Sequence, residues 1–154
     1  MSVSVQESDF DPGAEIAAMT AGRRDLGAVA TFVGLVRGGD DMGSIGAMTL
    51  EHYPAMTAKA LEAIETEART RWPVSDVRIV HRVGRLLPGE RIVFVGVAGR
   101  HRGEAFAACE FVMDYLKTRA PFWKKEETEQ GTRWVEALES DDAAADRWKP
   151  GAPR

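Results

Sequence analysis

Four positive charges stand within nine residues, with no acid among them: Lys117, Arg119, Lys124 and Lys125. Two lysines held close together each disfavour the other's protonation, and partial burial acts in the same direction. An amine whose pKa falls toward neutrality can shuttle protons or act as a nucleophile. The same run also fits a solvated charged face, the commonest use of like charges. Phe122 and Trp123 inside it weigh toward packing or ligand contact. Basic groups recur at two other places: Arg37, at the end of an apolar run, and Arg100-His101-Arg102, between an apolar run and a helical pattern. Were the three regions to converge, they would form a strongly cationic pocket suited to a small, highly anionic substrate. Opposite unit charges at about 4 Å attract by about 4 kcal/mol at an effective dielectric of about 20. A helix starting near residue 103 would add the partial positive charge of its N-terminus beside His101 and Arg102.

Other candidates have simpler readings. Cys109, the single cysteine, lies in an apolar helical run and reads as a buried structural thiol. His52 and His81 fall on strand patterns, where core or edge histidines are more common than ligands. His101, flanked by two arginines, stays open between a functional and an incidental role. Asp141, Asp142 and Asp146 could imitate a metal site, but acids at a helix start explain them equally. Met48, Met56 and Met113 read as core fillers. No Walker loop, GxGxxG or HExxH occurs. The expectation is a protein with no bound cofactor and no metal.

The elements that must position these residues follow from local patterns. Residues 2–6 alternate Val with polar residues, as an edge strand does. Asp11-Pro12 is an N-cap followed by Pro at N1, opening a helix to about residue 20. Residues 27–37 form a central strand ending at Arg37, then a flexible loop over 38–44 that could close over substrate. Residues 45–53 give a strand with Met48, Leu50 and His52 on one face. Ala60, Leu61, Ile64, Ala68 and Trp72 recur at helical spacing within 54–72, with Glu65 and Arg69 as an i,i+4 pair. Strands over 77–83 and 91–99 are joined through Leu87-Pro88-Gly89-Glu90, a type II turn. A second long helix, apolar on most sides, covers 103–119 and ends at Ala120-Pro121, with Glu110, Asp114 and Lys117 on one polar stripe. A hairpin over 124–128 and 132–136 follows, and Ser140 caps a terminal helix. The fold class is α+β: a mostly antiparallel sheet packed on two long helices, with a small β-hairpin subdomain.

The chain has 154 residues, 20 Lys and Arg against 24 Asp and Glu, and a net charge of −4. That length suits one domain, here residues 1–149 with a flexible tail at 150–154, burying roughly 70% of its unfolded surface. An acidic balance argues against general nucleic-acid binding. The longest apolar run, 92–98, is far short of the roughly 20 residues that span a bilayer. The first eleven residues carry three acids and no base, unlike a secretory signal. With one cysteine, no disulfide can form within the chain, as in a reducing cytoplasm.

The run Met113-Asp114-Tyr115-Leu116-Lys117-Thr118-Arg119-Ala120-Pro121-Phe122-Trp123-Lys124-Lys125-Glu126 resembles the signature of the large, catalytic subunits of molybdopterin synthase. Thr31-Phe32-Val33-Gly34 with Val36-Arg37, Leu50-Glu51-His52-Tyr53-Pro54, Val80-His81-Arg82-Val83-Gly84, Pro88-Gly89-Glu90, Val93-Phe94-Val95-Gly96-Val97, His101-Arg102 and Arg133-Trp134-Val135-Glu136 match the family in the same order. The resemblance implies a hammerhead-like α/β arrangement and a homodimer. It also implies a partner on each copy, a small ubiquitin-like subunit ending in a Gly-Gly thiocarboxylate, giving a heterotetramer. The implied reaction moves two sulfurs to cyclic pyranopterin monophosphate, forming the dithiolene of molybdopterin in the cytoplasm. Lys117 is implied as the main catalytic lysine, for proton transfer or transient covalent attachment, and Lys124 as its assistant. Leu35, Val36, Arg37, His101, Arg102, Lys117, Lys124, Lys125 and Glu126 are implied as substrate-binding, some acting across the dimer. Leu35 and Leu138 stand where some relatives carry basic residues, which removes two possible anion contacts. A binding module for a phosphorylated metabolite or acidic tail, and a scaffold for a ubiquitin-like protein, are the alternative classes. A scaffold has no need of accessible lysines at both 117 and 124.

Overall fold

The computed structural model describes residues 2–38, 45–128, 131–135 and 139–150. In chain order the elements are β1 (Val3–Gln6), α1 (Pro12–Thr20), β2 (Ala28–Leu35), β3 (Ile45–His52), α2 (Pro54–Arg71), β4 (Asp76–Arg82), β5 (Gly84–Leu86), β6 (Arg91–Gly99), α3 (Arg102–Thr118), β7 (Phe122–Thr128), β8 (Gly131–Val135) and α4 (Glu139–Asp146). Most ends obey local signals. Asp11 accepts from the backbone N–H groups of Gly13 and Ala14 with Pro12 in the first turn of α1, and Pro54 opens α2 in the same position. Glu65 and Arg69 form the expected i,i+4 pair at 2.9 Å.

The strands form two four-stranded sheets, ordered β1-β4-β6-β2 and β5-β3-β7-β8. The first is mixed, because β1 runs parallel to β4 while β4, β6 and β2 are antiparallel. Strand β6 is covered on both faces. Val93, Val95 and Val97 pack with Leu61, Ile64 and Ala68 of α2 and Phe111 and Val112 of α3, whereas Phe94 and Ala98 pack with Phe10 and Met19 around α1. This alternation follows from the two-residue period of a strand. Each such fully buried Val or Phe contributes roughly 1.5–3 kcal/mol.

Gly84 carries the chain from the first sheet into the second, with φ at 87° where other residues are strained. The buried Arg82 fixes this junction by donating to the carbonyls of Glu7 at 3.0 Å and Arg91 at 3.1 Å. Gly89, with φ at 90°, supplies the expected turn before β6. Helix α4 docks on α3 through Arg147, which pairs with Glu110 at 2.8 Å and Asp114 at 3.0 Å, and through the Trp148 indole N–H on Asp114 at 2.7 Å.

The α+β class is as expected, with several corrections. One anticipated sheet is two, and the anticipated hairpin β7–β8 is half of the second. Strand β5 falls in the segment expected only to connect two strands; three residues carry no periodicity, and pairing with β3 defines them. Strand β2 lies at a sheet edge rather than in the centre, its apolar run leaving Phe32 41% exposed. Met56 is exposed, on the solvent side of α2, so it fills no core. Ser140 falls in the first turn of α4. The proposed closing loop beyond residue 38, residue 136 of the hairpin, Leu138 and residues 151–154 fall outside the described residues.

Candidate active site

A cavity of about 420 Å³ opens between the two sheets, at the end of the molecule where α3 finishes. Its apolar wall comes from Phe32, Val33 and Leu35 at the end of β2, Ile92 and Val93 at the start of β6, and Met113 and Leu116 of α3. Lys117, Lys124 and His81 supply the polar groups. No acidic residue stands among the described lining.

Lys117 occupies the last turn of α3, where the helix macrodipole favours a cation, and its side chain is exposed. The chain leaves the helix at Ala120-Pro121 and enters β7 at Phe122. The two-residue period of β7 then sorts the basic block. Phe122 and Lys124 pair with His52 and Leu50 of β3 and face the cavity, while Lys125 falls on the opposite face. Lys125 lies 3.8 Å from Glu51 and 4.8 Å from the Trp134 ring centre. Glu126 is buried, 3.6 Å from Arg133.

Only part of the expected convergence occurs within one chain. Lys117, Lys124 and Leu35 meet at the cavity. Val36 is 2% exposed and packs with Leu50 and Leu86 beneath it. Arg37 is exposed and outside the lining. His101 and Arg102 are exposed at the opposite end of α3, which runs back along the first sheet from the end of β6. Fifteen residues at about 1.5 Å rise place Arg102 about 22 Å along the helix axis from Lys117. Within the single chain these groups stand apart from the lysines, because the direction of α3 separates them.

His81 is a site residue that its strand pattern disguised as core. It lies at the end of β4, is 8% exposed, and stacks on Phe122 with ring centres 3.9 Å apart and planes 17° apart. Its Nδ1 stands 2.8 Å from the Arg82 carbonyl oxygen. Burial, and then the nearby charges of Lys117, Lys124 and His52, push its pKa down to about 4, although the bond to Arg82 acts the other way. The one available signal was its place beside Arg82, a charge that the fold buries at the junction between sheets. Cys109, by contrast, is an inert thiol, pushed up to about 11 mainly by burial. Among the described residues, no cluster of His, Cys, Asp or Glu could hold a metal ion, and no helix is long and apolar enough to cross a membrane.

Known proteins resemble this chain over nearly its whole length. A family model described as MoaE protein matches residues 5–119. A molybdopterin synthase catalytic subunit from Ralstonia nicotianae is 58% identical over 146 residues, covering 95% of this chain and 83% of its own. The solved molybdopterin biosynthesis MoaE protein from Burkholderia ambifaria is 59% identical with a TM-score of 0.81, covering 96% and 97% of the two chains. A Helicobacter pylori structure, described as a complex of subunits 1 and 2 of molybdopterin-converting factor, is 23% identical with a TM-score of 0.72 over 90% and 92%. At that identity it speaks for the fold alone. With three quarters of its residues matched by the family model and close relatives along its length, the chain belongs to the MoaE family.

Proposed function

We propose that this chain is the catalytic subunit of a molybdopterin synthase, a sulfur-transferring enzyme of molybdenum-cofactor biosynthesis. The observation that carries the reading is a cavity lined by two lysines from separate elements and by no acid among its described residues. Such a site favours two anions in contact, a thiocarboxylate and a phosphorylated pterin. The sulfur arrives on a partner, since the only thiol of the chain is buried and inert. Each transfer breaks the C–S bond of the partner's tail as water adds to its acyl carbon, leaving a carboxylate, and two transfers supply both sulfurs of the dithiolene on cyclic pyranopterin monophosphate.

In this reading Lys117 carries the proton or transiently holds the acyl group, and Lys124 assists it. Leu35 and Val36 shape the cavity mouth and its floor. Arg37, Lys125 and Glu126 border the approach of the partner and substrate. His101 and Arg102, remote from Lys117 in their own chain, serve the cavity of a second copy. The exposed edge of β2 with Phe32 supports such a homodimer, which becomes a heterotetramer with two small ubiquitin-like subunits ending in Gly-Gly. Residues 1–149 act as one domain, in the cytoplasm. The test is reconstitution of the purified chain with a thiocarboxylated small subunit and cyclic pyranopterin monophosphate. Molybdopterin should form with the thiocarboxylate and not with the plain carboxylate; no product from the thiocarboxylate would refute the assignment.

A further inference from the structure

We propose that His81 is a positioning residue for Lys117, presenting its Nε2 atom to the cavity as a neutral hydrogen-bond acceptor for the lysine's ammonium group. The described lining holds two ammonium donors, apolar side chains and one thioether; His81 is its single side chain with a nitrogen or oxygen lone pair. The ring is clamped on two sides. Phe122 fixes its plane by stacking. The Arg82 carbonyl, an acceptor only, requires the hydrogen on Nδ1, and Arg82 is itself held by the carbonyls of Glu7 and Arg91. A neutral ring so fixed keeps its lone pair on Nε2, at the opposite side from Nδ1. Neutrality follows from the surroundings: the ring is buried, and Lys117 from α3, Lys124 from β7 and His52 from β3 all oppose a further positive charge. Lys117 lines the same cavity as the ring.

The chemical consequence is orientation. A free lysine chain forfeits rotamer entropy when fixed. An acceptor held in place directs one N–H of Lys117 and leaves two for anionic ligands. The effect on turnover rests on the proposed function, whereas the proposed contact involves this chain alone and is tested apart from it. Nitrogen NMR of the imidazole in the intact protein at neutral pH should show a protonated Nδ1 and an unprotonated, hydrogen-bonded Nε2. Lys117→Ala should shift the Nε2 resonance, while Lys59→Ala, on the exposed face of α2, should not. A protonated Nε2, or one indifferent to Lys117→Ala, overturns the proposal, and this measurement needs no altered histidine. In turnover, His81→Leu should lower kcat about ten-fold with the partner's Kd within about two-fold, and His81→Gln, whose amide oxygen can accept in place of Nε2, should recover most of that loss. Equal kcat in His81→Leu and the unaltered protein, or equal loss in both variants, would also overturn it. Absence of product from the unaltered protein would instead count against the assigned reaction and leave the NMR result standing.

Discussion

A buried imidazole beside two ammonium groups couples the fold to pH in one direction. His81 is held down to about 4 in the folded chain by burial and by Lys117, Lys124 and His52, against an ordinary value of 6.5. Above pH 6.5 neither folded nor unfolded chain protonates it. Between pH 6.5 and 4 the unfolded chain takes up a proton that the folded chain refuses, so stability falls as pH falls. The loss reaches roughly 3 kcal/mol near pH 4. Urea unfolding at pH 7 and pH 5 should therefore show a larger drop for the unaltered chain than for His81→Gln, and equal drops would contradict the origin assigned. Cys109 makes a second residue-level prediction. Buried and pushed up to about 11, it should resist iodoacetamide at pH 8 in the folded protein, and Cys109→Ala should keep full sulfur transfer. Rapid labelling, or lost turnover, would return a thiol to the mechanism.

Among the elements, the junctions carry the cost of change. Gly84→Ala forces a side chain into the positive-φ turn between the two sheets and should destabilise by about 1–2 kcal/mol. Asp11→Ala removes both cap hydrogen bonds of α1 and should cost about 1 kcal/mol. Denaturant midpoints check both values. These two sites also mark what could be read in advance. The cap, the proline starts and the apolar spacing of α2 are local chemistry, so they were legible. Strand β5 and the division into two sheets were not, because they depend on pairing with β3, far away in sequence, and on one backbone torsion. Lys117 and Lys124 could be read together because a helix end and a strand start lie within one short segment. The separation of His101 and Arg102 from them could not, since it turns on the direction of α3. His81 was hidden because its strand is buried on both faces from Ile79 to Arg82 and gives no alternation there.

For the whole molecule, a net charge of −4 coexists with a cavity that holds cations and no acid in its described lining. Bulk charge describes the surface that keeps general polyanions away; the cavity's local field selects small ones. The separation of about 22 Å between Arg102 and Lys117 is what makes assembly part of the proposed chemistry, in which a second copy brings the remaining basic groups to each site. If the proposed homodimer forms through the exposed β2 edge, Phe32→Asp should shift the protein toward monomer in sedimentation; an unchanged dimer would place the interface elsewhere. The most direct measurement of the central claim compares Lys117→Ala with the unaltered chain in one reconstitution with thiocarboxylated partner and cyclic pyranopterin monophosphate. Molybdopterin formation should fall by at least about 100-fold, as for loss of a group that moves protons, while the partner still binds. Product formation at the unaltered rate by Lys117→Ala would contradict it.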